Sequence, residues 1–445
     1  MINRLCFPSD RFTVQTFQVD GQAFSIRAWE DLFYCTHPTD DVQRLNLYAP
    51  ECYFQQDALN GYTAKSAPIF MPNLVGGYMP GRPGKPELHE NGQPNTILAA
   101  LRHGYVVACP GIRGRTSQVG KAPALIADLK AVVRYLRHHR DLIPGNPERI
   151  ITSGTSAGGA LSALAGTSGN QPAYQPYLAA IGAADERDDI FAANCYCPIV
   201  NLENADPAYE WQFCDETYYR SWAGEGYLGQ QQQLLACQLK PLFPAYLNSL
   251  GLTDENGQPL MLNDDGTGSF LNQVCSWVIQ SAQHELDTHG CAVNQEPYLQ
   301  IENGKVTGID WPAYVHAITR MKTPPAFDAL DLSSPENDEF GDESGCCRHF
   351  TAFGLAHSQK GGAMADDEQI RLINPMRQLG EGTAKHWRIR HGTHDRDTSL
   401  AIPVMLATVL RMHGCHVDFH LPWGVPHSGD YDLPQLFQWI DGLCK

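Results

Sequence analysis

The chain has 445 residues, 43% of them hydrophobic, which is enough to bury a sizeable core but long for a single compact one. Its net charge of −17, with no basic cluster anywhere, argues against nucleic acid or an anionic membrane as a partner. No apolar run reaches transmembrane length, and Met1 to Gly21 lacks the apolar stretch behind basic residues that marks a signal peptide, so a cytoplasmic enzyme is expected unless a leader has been removed.

Taken in chain order, the first third alternates strand-like and helix-like segments. Ala67 to Val75 reads as a strand ending at Gly76-Gly77, and Thr96 to Leu101 as a helix. Gly104 to Cys109 reads as a second strand. Ala122 to His139 carries Leu125, Ile126, Leu129, Val132, Val133 and Leu136 at the spacing of an amphipathic helix. Arg149 to Thr152 is a short apolar strand leading straight into Ser153-Gly154-Thr155-Ser156-Ala157-Gly158-Gly159. From about Glu203 to Lys385 this regularity breaks down. Turn pairs at Glu255-Asn256-Gly257, Asp264-Asp265-Gly266 and Glu302-Asn303-Gly304 suggest hairpins in a segment of mixed structure. Regularity then returns, with strands at His386 to His391 and His416 to Leu421 and helices at Thr398 to Met412 and Asp432 to Leu443. Strands alternating with helices imply a parallel sheet covered on both faces. A sheet interrupted once and resumed fits an α/β-hydrolase fold, with residues 1–202 and 386–445 as the core and 203–385 as an inserted lid domain.

Gly154-x-Ser156-x-Gly158 between a strand and a helix is the setting of a nucleophile elbow. The serine stands on a sharp turn with its hydroxyl exposed, and the helix N-terminus offers free N–H groups where an oxyanion would form. A serine hydroxyl needs an imidazole to take its proton and a carboxylate to orient that imidazole. In this fold the chain order is serine, acid, histidine. Of 17 histidines, His427 lies in the loop between the last strand and the last helix, where the base belongs. The acid falls in the loop after the His386 strand, where Asp395 and Asp397 both qualify. Ala157 would give one oxyanion donor, and Gly76 or Gly77 the other.

Four blocks together resemble the bacterial tannases (tannin acyl hydrolases) of the α/β-hydrolase superfamily: the Ser156 elbow; Lys322-Thr323-Pro324-Pro325-Ala326-Phe327-Asp328 running on to Ser334-Pro335-Glu336-Asn337; Arg390 to Thr398; and Pro422 to Asp432. The resemblance implies an esterase that releases gallate from galloyl esters and depsides through an acyl-enzyme, with no cofactor and a small-molecule substrate. It implies Asp395 as the triad acid, and Lys322, Glu336 and Asp397 as contacts for the phenolic hydroxyls. Aryl esters such as feruloyl esters are the alternative substrates, and a non-catalytic binding protein on the same fold is the alternative of another class.

The remaining features read as ordinary. The 14 cysteines are scattered and suggest reduced thiols. Cys195-Tyr196-Cys197 and Cys346-Cys347 lack metal-ligand spacing, so no metal is expected. No cysteine adjoins Ser156 or His427 in sequence, so the disulfide of the fungal tannase type is not expected. Arg113 and Arg115 could bind a carboxylate or pack a loop, and the sequence does not decide between them.

Overall fold

Apolar runs that are to be buried on both faces become the central strands of one sheet. The computed structural model describes residues 5–290, 293 and 296–445, and residues 1–4, 291–292 and 294–295 lie outside the described residues. The strands are β1 (Thr13–Val19), β2 (Gln22–Leu32), β3 (Leu45–Pro50), β4 (Pro68–Pro72), β5 (Val106–Pro110), β6 (Asn146–Thr155), β7 (Ala192–Tyr196), β8 (Tyr218–Ser221), β9 (Gly224–Tyr227), β10 (Leu299–Glu302), β11 (Lys305–Ile309), β12 (His386–Arg390) and β13 (His416–His420). The helices are α1 (Thr96–Arg102), α2 (Ala124–His138), α3 (Ala157–Thr167), α4 (Gln175–Ala180), α5 (Ala205–Phe213), α6 (Gln230–Leu239), α7 (Leu242–Ser249), α8 (Ser269–His289), α9 (Trp311–Ile318), α10 (Pro335–Glu339), α11 (Ala352–Ala356), α12 (Asp367–Leu372), α13 (Ala401–Met412) and α14 (Leu433–Cys444).

Nine strands pair in the order β1-β2-β3-β5-β4-β6-β7-β12-β13. The six from β5 to β13 are parallel, and β1, β2 and β3 extend that sheet antiparallel. Every residue of β4, β5 and β7 is buried, as strands covered on both faces require. This is the α/β-hydrolase architecture. The strand order places the C-terminal ends of β6, β12 and β13 along one edge, where ligands bind in open parallel sheets.

Helix α2 departs from its expected form. Its apolar stripe faces the sheet, but its polar face is also buried. Asp128 pairs with Arg113 at 2.8 Å, and Asp188 receives Lys130 at 2.6 Å and Arg134 at 2.8 Å. Arg113 thus holds a helix in place.

Between β7 and β12 the chain leaves the sheet for residues 197–385, a segment that mixes helices α5 to α12 with two short hairpins and loops. Of the three turn pairs, Glu302-Asn303-Gly304 closes the β10–β11 hairpin, with Asn303 and Gly304 both left-handed (φ 49° and 74°). The turn at Asp264-Asp265-Gly266 makes no hairpin of strands. Gly266 N–H donates to Asn263 O at 2.9 Å, and the chain enters the 21-residue α8. The insertion has no separate main core, because Tyr209, Trp211, Phe243, Phe270 and Phe327 join the same buried cluster as the sheet residues Ile69, Val107, Ile151 and Ile389. Among the described residues no helix is long and apolar enough to cross a membrane.

Candidate active site

At the junction of β6 and α3 the backbone of Ser156 is left-handed, with φ 62° and ψ −122°. Such a conformation costs a non-glycine residue about 1–3 kcal/mol and persists only where its surroundings impose it. Here Ser156 N–H donates to Tyr196 O at 3.0 Å, and Ile199 N–H donates to Ser156 O at 3.3 Å. The glycines have a steric purpose. A Cβ on Gly154 would stand 2.3 Å from Gly158 O, and one on Gly158 would stand 2.6 Å from Asn73 Oδ1. The Asn73 amide fills that space, donating to Ser153 O and Gly158 O at 3.0 Å each.

Asp395 and His427 meet in the loops after β12 and β13. Asp395 is fully buried, and its Oδ2 lies 2.7 Å from His427 Nδ1. Its Oδ1 accepts from Asp397 N–H at 2.9 Å. Backbone bonds lock the two loops together, from Thr393 N–H to Pro422 O at 3.0 Å and from His394 N–H to Val425 O at 3.1 Å. The His427 loop in turn presses on the elbow, where a Cβ on Gly429 would stand 1.9 Å from Thr155 Oγ1.

The charges in this pair reinforce one another. Burial opposes a charged His427, but the hydrogen bonds to Asp395 and to the Cys197 thiol outweigh it and raise the imidazole well above its ordinary value. Burial alone would raise Asp395, yet the neighbouring His391 and the His427 hydrogen bond hold its carboxyl below the usual range. His391 is itself buried, with burial lowering its pKa, and its Nδ1 stands 3.7 Å from Asp395 Oδ2 without hydrogen-bond geometry.

Cys197 is a neighbour that sequence spacing did not single out. Its backbone is left-handed (φ 34°), and its Sγ lies 3.9 Å from His427 Nε2 and donates to Ser428 O at 3.4 Å. Ligand atoms of Cys197, Asp395 and His427 fall within 4.8 Å of one another. Among the described residues no hydrogen bond joins Ser156 Oγ to His427, whose Nε2 faces the thiol beside the elbow.

A cavity of about 490 Å³ opens over Ser156 and brings Gly77, Ala157, Lys322, Glu336 and Asp397 together. Gly76 lines a different cavity that also borders Ser156. Lys322 Nζ donates to Asp397 Oδ2 at 3.3 Å and sits 3.9 Å from the centre of the Phe327 ring. Burial works to lower the Lys322 pKa, but Asp397 and Glu336 outweigh it, so the ammonium stays charged. Burial pushes the Glu336 carboxyl up, with Lys322 opposing it.

The insertion holds these groups through side chains. Tyr209 hydroxyl accepts from Met321 and Lys322 N–H at 3.0 Å each and donates to Arg396 O at 3.0 Å, tying the Lys322 loop to the Asp397 loop. Asp206 accepts from Phe327 and Asp328 N–H at 2.7 and 3.1 Å. The Arg115 side chain bridges the glycine loop to α10, donating to Gly77 O and Asp338 Oδ2 at 2.8 Å each. Tyr78 anchors the same loop from the other side, donating to Ile199 O at 3.1 Å. The tyrosine positions carried no signal in the sequence, because their value lies in contacts more than a hundred residues away.

A structure of tannin acyl hydrolase from Lactobacillus plantarum matches with a TM-score of 0.96 and 47% identity, covering 100% of this chain and 99% of that one. The chain belongs to the tannase family. The tannase of Fusobacterium nucleatum matches with a TM-score of 0.96 and 43% identity over 99% of each chain. A tannin acyl hydrolase solved in complex with ethyl gallate matches with a TM-score of 0.96 at 47% identity. The BD-FAE family model matches residues 76–209. Esterase LipQ of Mycobacterium tuberculosis is 35% identical over 88 residues, which span 20% of each chain. This tannase-family chain is therefore a carboxylic ester hydrolase.

Proposed function

We propose that the chain hydrolyses galloyl esters to gallate through Ser156, His427 and Asp395. The observation that carries this reading is a single cavity shared by Ser156 and three charged groups, Lys322, Glu336 and Asp397. A galloyl ring has three adjacent hydroxyls, each able to donate and accept. An ammonium that donates and carboxylates that accept match such an edge. A substrate without these hydroxyls would leave buried charges unpaired, a strong form of rejection. The relatives support the substrate class, one of them having been solved with ethyl gallate.

In the reaction, Ser156 Oγ attacks the ester carbonyl carbon while His427 Nε2 takes its proton. Asp395 keeps the other nitrogen protonated and stabilises the imidazolium. The tetrahedral oxyanion accepts from Ala157 N–H and from the Gly76-Gly77 loop. Ala157 opens α3, where a first-turn N–H has no acceptor within the helix. The C–O bond to the alcohol breaks as His427 protonates that oxygen, leaving a galloyl-enzyme. Water, deprotonated by His427, then attacks the acyl carbon and releases gallate and the free serine. The Ser156–His427 hydrogen bond that the proton transfer uses forms as substrate arrives, since such bonds tighten in the reacting complex. The boundary of the inserted segment at 203–385 belongs to the same proposal, with the insertion contributing Lys322 and Glu336 to the pocket.

The test pairs labelling with specificity. A fluorophosphonate should modify Ser156 stoichiometrically, and methyl gallate should turn over far faster than methyl ferulate. Absence of labelling would leave a binding protein, and faster ferulate turnover would make it a feruloyl esterase.

A further inference from the structure

The insertion holds a second set of aspartate, histidine and serine side chains, joined in the order that a catalytic triad uses. Asp328 and His349 are fully buried, with Asp328 Oδ1 2.7 Å from His349 Nδ1, and His349 Nε2 lies 2.8 Å from Ser358 Oγ. Ser358 does not line the acyl cavity, so this relay meets no substrate there. Its Oγ instead accepts from Gly362 N–H at 3.3 Å. What the relay does reach is the Asp328 carboxylate, and Asp328 reaches the acyl pocket by two routes.

Along the chain it follows Phe327, whose ring supports the Lys322 ammonium at 3.9 Å. Through space its Oδ1 accepts from Asn337 Nδ2 at 2.7 Å, and Asn337 follows Glu336 in α10. A helix of five residues does not hold itself by its own hydrogen bonds, so tertiary contacts must place it. Lys322 acts on the Glu336 carboxylate through charge, and the helix that carries this carboxylate decides where it stands. Asn337 fastens that helix: its amide also donates to Arg348 O at 3.0 Å, and its Oδ1 accepts from Ser334 Oγ at 2.7 Å. Asp328 itself has no room to move. Its Oδ2 accepts from Thr351 N–H at 2.9 Å and from Thr351 Oγ1 at 2.6 Å, and a Cβ on Gly354 would stand 2.2 Å from it.

We propose that Asp328, oriented by His349, is a positioning residue of the acyl pocket: it sets where Glu336 stands against Lys322, and so how tightly a ring with adjacent hydroxyls is held. The proposal rests on the galloyl-ester reading and adds to it the buried pair that keeps the recognition groups in register.

Replacing Asp328 would strand several buried donors and endanger the fold, so the experiment works through His349 and its two ring nitrogens. An asparagine there keeps a donor near the place of Nδ1, facing Asp328, whereas a glutamine keeps one near Nε2, facing Ser358. His349→Gln should raise KM for methyl gallate about tenfold and leave kcat within about twofold, as expected for one lost hydrogen bond to a charged group. His349→Asn should restore KM to within about threefold of the wild type. Fluorophosphonate labelling of Ser156, which needs no phenol contact, should keep its rate in both. In a Glu336→Gln background, His349→Gln should add less than about twofold, because the group it misplaces is already disabled. An unchanged KM in His349→Gln overturns the proposal. So does a rise that persists in the Glu336→Gln background, or a matching fall in labelling, since either marks general loosening. Failure of the galloyl reading shows separately, in a wild type that labels at Ser156 but leaves methyl gallate intact.

Discussion

The sheet and the insertion hold polar groups in place by different means. On the sheet side, Ser156, Asp395 and His427 stand on loops fixed by backbone hydrogen bonds and by glycines packed too closely for a methyl group. On the insertion side, Lys322 and Glu336 depend on side chains that grip distant backbone: Tyr209, Asp206 and the buried Arg320–Glu210 pair at 2.5 Å. The first arrangement resists any change of geometry. The second can be altered one side chain at a time, and substrate choice can change with it while the chemistry stays put.

This contrast can be broken from either side, beginning where the effect is greatest. Ser156→Ala should lower kcat by on the order of 10⁶ while gallate still binds, measured by steady-state kinetics and by calorimetry on the variant. Asp395→Asn should lower kcat by about 10³–10⁴ with little change in KM. In the proposed mechanism His427 works as a base only when neutral, so kcat/KM should rise with pH through the imidazole's raised pKa. Loss of the carboxylate removes the cause of that rise, and the inflection should move to lower pH. Glu210→Gln strands Arg320 without a counter-charge and should cost about 3–5 kcal/mol in denaturant unfolding. Asp397→Asn should raise KM for methyl gallate about 10–100-fold and leave kcat comparatively untouched. If Asp397→Asn abolished kcat and Asp395→Asn only weakened binding, the two carboxylates would have exchanged roles. Smallest of all, Tyr209→Phe should raise KM by about tenfold or less, since it loosens the Lys322 loop without removing a charge.

The same contrast explains what could be read from the sequence. Strands β4, β5 and β6 and helix α2 announce themselves through apolar runs and periodicity, because burial on the sheet is a local, repeating demand. The elbow is legible because its glycines answer contacts a few residues away. The insertion is harder to read. Helix α8 buries only Phe270, Val274, Val278 and Ala282, a stripe one residue wide, and the turn pairs beside it pointed towards hairpins. Between Asp395 and Asp397, spacing could not choose, since both follow the same strand. The choice of partner is made by loops distant in sequence: Asp395 meets His427, 32 residues on, and Asp397 meets Lys322, 75 residues back. Lys322 and Glu336 look like surface charges until the fold encloses them, so only family resemblance singled them out. Cys197 read as an ordinary thiol because its nearness to His427 is created by tertiary structure alone.

The point where Gly429 touches Thr155 bears on how such an enzyme could diversify. It fastens the end of the chain to its middle by contact rather than by covalent distance. The intervening detour of nearly two hundred residues can therefore lengthen, shrink or be redecorated without shifting the reactive groups against each other. Lineages that keep this rivet are free to experiment with what they recognise, and a methyl group at position 429 should end that freedom by prising the two halves of the machinery apart.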